Sequence, residues 1–481
     1  MTASLTAEGR RPIIVALMTI IGIASYNNLS AAAALPDIGD DLGDISLLPF
    51  VITVELLTSA VAVLASGPIV DSLGARRVFR SAAIGFIVTS VLVAVAPTMP
   101  ILVGARAVQG IFAGAIMTVG VASIGLAIPE RLRPRAFAMT SAVWGVMGVA
   151  SPAVAAVLLT TAGWRAIFLV NIPVTVIALV AGWNRIPDRR EDAAPQRVDR
   201  RGVVLVAAIT TAVLACATYE PVVILVSVVV LVVAVPGYAA WTRRTPDPVV
   251  RIPHLVDGRY RSVHLTSMAV LAGGVGANSL LPLYLRTARG QSTSVAAFSV
   301  LFLTIGWTTS AWISSRLQDR FAAEWVSLLG ASIATPAAIA TALAVGVDAP
   351  IPVIYGVFLW LGGGVGMVTS TGAALLQSRT RDEEMGRLTG AHQFLRTISI
   401  TFGIAIVGAI TLAVIESRVR DVEVVRDLLS DDDVVVSADT LVAITDGFAY
   451  AIGAVAVIVA GSLLSALHLV RHRGQGVASA P

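Results

Sequence analysis

Lysine is absent from this chain of 481 residues, so all 34 basic side chains are arginines. Charged residues are also scarce, at 13% of the sequence against about 25% in soluble domains. A single cysteine, Cys216, excludes an intramolecular disulfide and a cysteine metal cluster. What remains is apolar, because 56% of residues are hydrophobic and the mean hydropathy is +0.84. The composition indicates a polytopic membrane protein.

Fourteen apolar segments approach or exceed the length of about 20 residues that a transmembrane helix needs. They are residues 12–34, 45–66, 80–96, 101–128, 136–161, 166–186, 202–219, 222–241, 262–285, 294–314, 323–345, 350–376, 388–415 and 441–470. With both termini in the cytoplasm, 26 of the 34 arginines fall on the cytoplasmic side, as the positive-inside rule requires. The sequence therefore predicts an all-α, multi-pass integral membrane protein with 14 transmembrane helices.

A charged segment with the sequence GPIVDSLGARR separates the second and third apolar runs, at residues 67–77. A related segment, SRLQDRF at 315–321, follows about half a chain later, and in this register Asp71 corresponds to Asp319. Each aspartate follows the second span of a six-span set. This repeat predicts two parallel six-helix bundles, an architecture that transporters use.

The repeat divides the chain into three parts. We expect an N-terminal six-helix bundle at 1–186, a linker at 187–261 with the inserted transmembrane helices 7 and 8, and a C-terminal six-helix bundle at 262–481. Polar, proline-bearing stretches border the insert at 187–202 and 242–261. We interpret both stretches as solvated connectors.

Motifs of enzymes and nucleotide-binding proteins are missing. The chain has no Walker A loop, no zinc-ligand spacing and no GxSxG element. The glycine run LGGGVG at 361–366 lies inside an apolar segment with no strand before it, which favours tight helix packing. The arginines sit in short loops, where they set topology. We therefore expect no enzymatic activity, no cofactor, no metal and no nucleic-acid partner.

Five segments resemble the major facilitator superfamily, and in particular its 14-span drug:proton antiporters of the multidrug efflux type. They are GPIVDSLGARR at 67–77, ARAVQG at 105–110, GWRAIFLVNIP at 163–173, VDRRG at 198–202 and GRLTGAHQFLRTISITFG at 386–403. The resemblance implies the major facilitator fold and a secondary active transporter. It would export drugs or amphipathic small molecules in exchange for protons, by alternating access, and confer antibiotic resistance.

The segment around Asp71 has the residue types that a gate needs. Gly67 and Gly74 permit close backbone approach and a tight turn, and Asp71 can pair with Arg76 or Arg77 or accept hydrogen bonds from a helix N-terminus. The resemblance implies that this aspartate closes the cytoplasmic side by binding the start of span thirteen. The alternative is a simple positive-inside turn. The predicted gating residues are Gly67, Asp71, Gly74, Arg76, Arg77, Asp319 and Arg320.

Two charges inside spans are candidates for proton coupling. Glu55 and Arg106 lie at similar heights in spans two and four, and a charge at mid-bilayer costs about 2.5–3.5 kcal/mol, so an ion pair between them is feasible. The pair is either a proton site or a static strut. The related antiporters carry an aspartate in span one where this chain has Asn27, which cannot titrate. We therefore hypothesise that the titrating group moved to Glu55.

Polar and aromatic residues within other spans are candidates for substrate binding, or for hydrogen bonds between helices. They are Tyr26, Asn27, Asn28, Trp144, Asn278, Trp307, Gln393 and Arg396. The expected partners are a small-molecule substrate, protons and the lipid bilayer, and the expected state is a monomer. Two other functions remain open. One is specific export of a metabolite, lipid or antibiotic with weak or no proton coupling, and the other is a non-transporting sensor or scaffold.

Overall fold

The computed structural model describes residues 11–44, 47–48, 50–188, 199–216, 221–418 and 438–472. Every regular element in these ranges is a helix, in agreement with the all-α class predicted from composition. Eleven helices in the described ranges are long and apolar enough to cross a membrane. The predicted first, seventh and tenth segments are not among the eleven, so the total of fourteen spans remains a prediction.

The chain forms two compact units. The first unit comprises residues 1–260 and 376–395, and the second comprises residues 261–375 and 396–481. Helices up to residue 256 are α1 Arg11–Ser30, α2 Leu35–Leu42, α3 Phe50–Leu73, α4 Ala75–Ala94, α5 Met99–Ala127, α6 Arg133–Ala162, α7 Trp164–Leu169, α8 Asn171–Gly182, α9 Arg200–Ala215, α10 Pro221–Thr242 and α11 Ile252–Val256. They are followed by α12 Gly258–Thr287, α13 Thr293–Leu317, α14 Ala323–Gly346, α15 Ile351–Ser378, α16 Met385–Arg418 and α17 Ala438–Arg471. The division into 1–186, 187–261 and 262–481 stays a prediction.

Small residues allow α3 and α5 to approach closely. A Cβ atom added at Gly114 would lie 2.9 Å from the Cβ of Ala62 and 2.9 Å from the amide nitrogen of Val63. Gly110 faces α3 one turn earlier in the same way. One turn later, the hydroxyl of Thr118 donates to the carbonyl oxygen of Val63 at 2.8 Å. This stripe of small residues at i, i+4 spacing is typical of membrane helix pairs, and it sets the charged residues of α3 beside those of α5.

The sixth predicted span, residues 166–186, overlaps the apolar helical stretch Trp164–Gly182, which is one of the eleven and is divided at Val170. Helix α7 ends at Leu169 and α8 begins at Asn171. The ring nitrogen of Pro173 carries no hydrogen and cannot donate to the carbonyl of Leu169, so the helical hydrogen-bond ladder is interrupted at this point. Helix α1 packs against α6 and α8.

In the second unit, α14 packs along α17 around a large apolar core. The glycine run of α15 makes close helix contacts, since a Cβ atom added at Gly364 would lie 2.5 Å from the Cβ of Ala334. The prediction that these glycines serve helix packing is confirmed.

The prediction that residues 242–261 form a solvated connector holds only in part, because residues 243, 244 and 256–258 are exposed while others are buried. Val249, Val250 and His254 are buried. The hydroxyl of Tyr238 donates to the carbonyl oxygen of Val250 at 2.9 Å and accepts from its amide at 2.8 Å. The two valines pack with Leu64 and other apolar side chains of the first unit, because their apolar surface outweighs the polar residues around them. Of the other predicted connector, 187–202, residues 189–198 lie outside the described residues.

Candidate functional site

A buried ion pair joins α3 and α5. The side chains of Glu55 and Arg106 are each 1% exposed, and Nη2 of Arg106 lies 3.5 Å from Oε2 of Glu55. The guanidinium also donates through Nε to the carbonyl oxygen of Val51 at 3.0 Å. The structure thus brings together the two charged side chains that the sequence singled out, at the close α3–α5 contact.

Asn27 of α1 bridges the two charged groups. Its Nδ2 donates to Oε1 of Glu55 at 3.1 Å, and its Oδ1 accepts from Nη1 of Arg106 at 3.3 Å. An amide carries both a donor and an acceptor, so it can bind a carboxylate and a guanidinium at once. The residue that replaces the expected aspartate therefore holds the ion pair from a third helix.

The network extends to residues that sequence reasoning missed. Nη1 of Arg106 donates to Oε1 of Gln109 at 2.6 Å, and Nε2 of Gln109 donates to Oγ of Ser90 in α4 at 3.0 Å. The guanidinium carbon lies 5.4 Å from the ring centre of Phe168 in α7, within cation–π range. Gln109 follows Arg106 by three residues inside an apolar span, and this spacing is the signal that could have found it.

The contact between the two charged groups themselves lacks a hydrogen bond. Oε2 of Glu55 and Nη2 of Arg106 face each other, but neither atom has a hydrogen-bond partner among the described residues. A proton placed on Oε2 would turn this oxygen from an acceptor toward a cation into a donor. Proton binding and the ion pair therefore exclude each other at this atom, which is the chemistry that a proton-coupled switch requires.

A cavity of about 420 Å³ lies between α1, α6 and the start of α8. Its mostly apolar lining includes Gly22, Ile23, Tyr26, Met147, Val154 and Asn171. The hydroxyl of Tyr26 donates to the carbonyl oxygen of Ile167 at 3.2 Å. Tyr26 lines the cavity while the adjacent Asn27 belongs to the ion-pair network, so α1 carries both features on neighbouring residues. The volume is within the range of small-molecule sites.

Asp71, in the last turn of α3, caps the N-terminus of α16. Its Oδ1 accepts from the backbone amide of Gly386 at 2.7 Å, and its Oδ2 accepts from that of Arg387 at 2.9 Å. The first amides of a helix have no partner within the helix and favour a negative charge. Of the three partners weighed for Asp71, the structure therefore shows a helix N-terminus.

Glycines permit this cap. A Cβ atom added at Gly67 would lie 2.7 Å from the carbonyl oxygen of Gly386, so the two glycines touch through their backbones. Gly74, between α3 and α4, has φ of 89°, a conformation that residues with a Cβ atom rarely adopt. Arg76 does not pair with Asp71, because it donates to the carbonyl oxygen of Ile186 at 2.9 Å and to Asp188 at 3.2 Å.

A second set of charges at the start of α16, here termed the linker cluster, was missed by sequence reasoning. It consists of Asp247, Arg251, His254, Glu384 and Arg387. Asp247 accepts from Arg387 and from Arg251, each at 3.3 Å, and Glu384 pairs with Arg251 and lies 3.2 Å from Nε2 of His254. The cluster ties the segment after α10 to the residues that Asp71 caps. Only the polar character of 242–261 hinted at it.

Three predicted residues of the first unit lie elsewhere. Trp144 is 38% exposed on α6 and is not among the residues that line the cavity, so the structure does not place it in a binding site. Arg77 is exposed at the start of α4, and Gln393 is buried in α16. The side chain of Asn28 lies outside the described residues.

The predicted residues of the second unit are scattered. Asp319 and Arg320 are exposed in the turn between α13 and α14. Trp307 is half-buried and packs against the core, and Oδ1 of Asn278 is buried with no hydrogen-bond partner among the described residues. Arg396 is half-buried in α16. The structure assembles no common site from these five residues.

Metal-ligand types are not grouped in the part of the chain that the structure describes. No set of three or more His, Cys, Asp or Glu residues there could hold a metal ion. The absence of a metal and of a cofactor remains a prediction.

Comparison with known proteins gives one family. The profile described as the Major Facilitator Superfamily matches residues 15–404. An uncharacterised MFS-type transporter of Mycobacterium tuberculosis is 25% identical over 417 residues, which are 85% of this chain and 60% of that protein. This chain therefore spans less than two thirds of that relative's length. The multidrug transporter protein MdtP of Bacillus subtilis is 23% identical over 408 residues, 83% of this chain and 75% of MdtP.

Solved structures agree in fold. The crystal structure of the human organic anion transporter MFSD10 (TETRAN) has a TM-score of 0.63 at 13% identity, and the match covers 94% of this chain and all of that one.

Proposed function

The chain belongs to the major facilitator superfamily, and from this premise we propose that it exports drugs or other amphipathic small molecules in exchange for protons, by alternating access. Members of this family are multi-pass membrane transporters of small molecules and not enzymes. The multidrug name of one relative supports the substrate class. The arginine-rich loops support insertion in the bacterial inner membrane with both termini in the cytoplasm.

The observation that carries the proposal is the buried network of Glu55, Asn27 and Arg106. A carboxylate at this depth is expensive and is retained where it has a function. Since Oε2 of Glu55 can either face the Arg106 cation or hold a proton, loading a proton releases the guanidinium from the Glu55 carboxylate. Its remaining partners are Asn27, Gln109 and the Val51 carbonyl. The α3–α5 contact then has two alternative arrangements, one for each protonation state.

The cap of α16 by Asp71 supports a cytoplasmic gate. Two hydrogen bonds to a carboxylate hold the first turn of α16, and Gly67 and Gly386 keep the two backbones in contact. Alternating access requires contacts of this kind to break and re-form in each cycle. We therefore assign Asp71, Gly67 and Gly386 to the cytoplasmic gate, and we assign proton binding to Glu55.

The proton role is tested by Glu55→Gln, which keeps the acceptor oxygen for Asn27 and removes the titratable group. The measurement is efflux of ethidium from proteoliposomes containing the full chain, with and without a pH gradient. We expect the pH gradient to accelerate ethidium efflux by the wild type. We expect no acceleration of efflux by Glu55→Gln, because its site is fixed in an uncharged form. Glu55→Asp, which still titrates, is expected to keep part of the acceleration. Asp40→Asn is the control, since it removes an exposed carboxylate of α2 that has no predicted role.

The outcomes separate the alternatives. Full gradient-driven efflux by Glu55→Gln would refute the assignment of the proton to this residue. Wild-type efflux at a rate that does not depend on the pH gradient would favour an exporter without proton coupling. A wild-type protein that moves no tested compound would favour a sensor or scaffold.

A further inference from the structure

Asn171 is a buried amide with no partner. Its side chain is 1% exposed, and neither Nδ2 nor Oδ1 has a hydrogen-bond partner among the described residues. An asparagine at the start of a helix commonly caps it, but here the amide caps nothing. A buried polar group without a partner is costly, so the position calls for a ligand that supplies the missing contacts.

The surroundings of Asn171 form the cavity between α1, α6 and α8, which it lines together with Ile23, Met147 and Val154. Apolar walls do not hold water well, because an ordered water needs two to four polar partners. The hydroxyl of Tyr26, another lining group, is already donated to the carbonyl of Ile167. The volume of about 420 Å³ accommodates a two-ring molecule.

We propose that this cavity binds a flat apolar molecule whose edge carries an adjacent hydrogen-bond donor and acceptor, such as a lactam or carboxamide, with Asn171 as the recognising residue. The asparagine amide offers one acceptor oxygen and donor hydrogens on the neighbouring nitrogen. A lactam edge presents the complementary pair and can make two antiparallel hydrogen bonds. Since both amide atoms of Asn171 are covered by protein, binding in this proposal includes a rotation of the side chain toward the ligand. The proposal deepens the proposed function, on which it rests for the assumption that the ligand is transported.

Binding is measured by equilibrium dialysis on the full chain in lipid nanodiscs, with empty nanodiscs to subtract partitioning into lipid. The probes are 2-quinolinone, a lactam, its N-methyl derivative, which lacks the donor, and naphthalene, which lacks both polar groups. We expect 2-quinolinone to bind about tenfold more tightly than either comparison probe, from two hydrogen bonds of ordinary net strength. In Asn171→Leu this preference disappears.

Two variants guard against a general effect on folding. Ser123→Ala removes another buried polar group without a described partner, in α5 and away from the cavity, and is expected to leave all three affinities unchanged. Gly22→Leu fills the cavity from α1 and is expected to abolish binding of every probe. A single Cβ atom at Gly22 would meet Val143 and Met147 only at 3.7 and 3.8 Å, so the backbone accepts a side chain there.

Equal affinity for the three probes in the wild type, or an unchanged preference in Asn171→Leu, would overturn the proposal. The assay uses no proton gradient, so it does not depend on transport. Binding without efflux would refute the exporter and leave this site standing, whereas proton-driven efflux of ethidium without lactam binding would do the reverse.

Discussion

Asp71 and Asp319 occupy matching places in the two halves of the sequence, yet their carboxylates have different environments. Asp71 lies within the last turn of α3, partly buried, and accepts two backbone hydrogen bonds from α16. Asp319 lies beyond the end of α13, in an exposed turn where its own amide donates to the carbonyl oxygen of Arg316. The burial of a carboxylate therefore differs between the two segments at the same register.

The neighbouring residues explain the difference. In the shared register Gly67 corresponds to Ser315 and Gly74 to Ala322. Gly67 lets another backbone come into contact, whereas Ser315 is a buried serine whose hydroxyl donates to the carbonyl of Trp312 in its own helix. Gly74 has φ of 89° and Ala322 has φ of −65°. Both segments contain the aspartate, so the glycines are what distinguishes the buried segment around Asp71 from the exposed one around Asp319.

Removing each carboxylate gives the largest expected contrast. Asp71→Ala deletes two hydrogen bonds to a charged acceptor, so we expect the start of α16 to be released by about 3 kcal/mol, roughly a hundredfold in the equilibrium. Asp319→Ala removes an exposed group, and we expect less than about 0.5 kcal/mol. The measurement is the alkylation rate of Thr389→Cys, a buried position in the second turn of α16, after Cys216→Ser removes the native thiol.

Faster alkylation in Asp71→Ala and an unchanged rate in Asp319→Ala are the expected pair of results. Equal alkylation rates in the two variants would contradict the proposed difference between Asp71 and Asp319, since they would mean that the cap does not hold α16.

Adding one methyl group at the paired positions gives a smaller contrast. The Cβ atom of Gly67→Ala would lie 2.7 Å from the carbonyl oxygen of Gly386 and 3.0 Å from the Cα of Arg387. Such overpacking costs about 1–3 kcal/mol, so we expect a lower midpoint of thermal unfolding and slower efflux. The corresponding Ser315→Ala loses only a hydroxyl bonded within its own helix, and we expect less than about 1 kcal/mol. A thermal midpoint that falls no further in Gly67→Ala than in Ser315→Ala would contradict this account.

Sequence reasoning reached the parts of the site that follow from the cost of a charge in a membrane. That cost singled out Glu55 and Arg106, and the structure places them in contact. The register of Asp71 indicated a helix N-terminus among its possible partners, and the structure shows that partner. The first inference needed the depth of each residue in its span, and the second needed the position of Asp71 near a helix end.

Other parts of the site depend on which helix neighbours which, and a single sequence does not contain that information. Gln109 of α5 bonds to Ser90 of the neighbouring α4, and Asp247 bonds to Arg387, which is 140 residues later in the chain. Asn171 belonged to a recognised motif, but its lack of a partner is visible only once α1 and α6 are in place. The exposure of Trp144 could not be predicted either, because the sequence of a span does not show whether an aromatic residue faces lipid or protein.

The smallest contrast concerns backbone conformation alone. At φ of 89° and ψ of 143°, Gly74 lies in a region that is costly for residues with a Cβ atom, so we expect Gly74→Ala to destabilise the protein by about 1–2 kcal/mol. Ala322→Gly, at an ordinary extended conformation, is expected to cost no more than about 0.5–1 kcal/mol through the entropy of the unfolded chain. The midpoint of thermal unfolding in lipid nanodiscs compares the two variants. A larger loss in Ala322→Gly would show that the turn after Asp71 does not need its glycine, and the structural difference between the two segments would then rest on Gly67 alone.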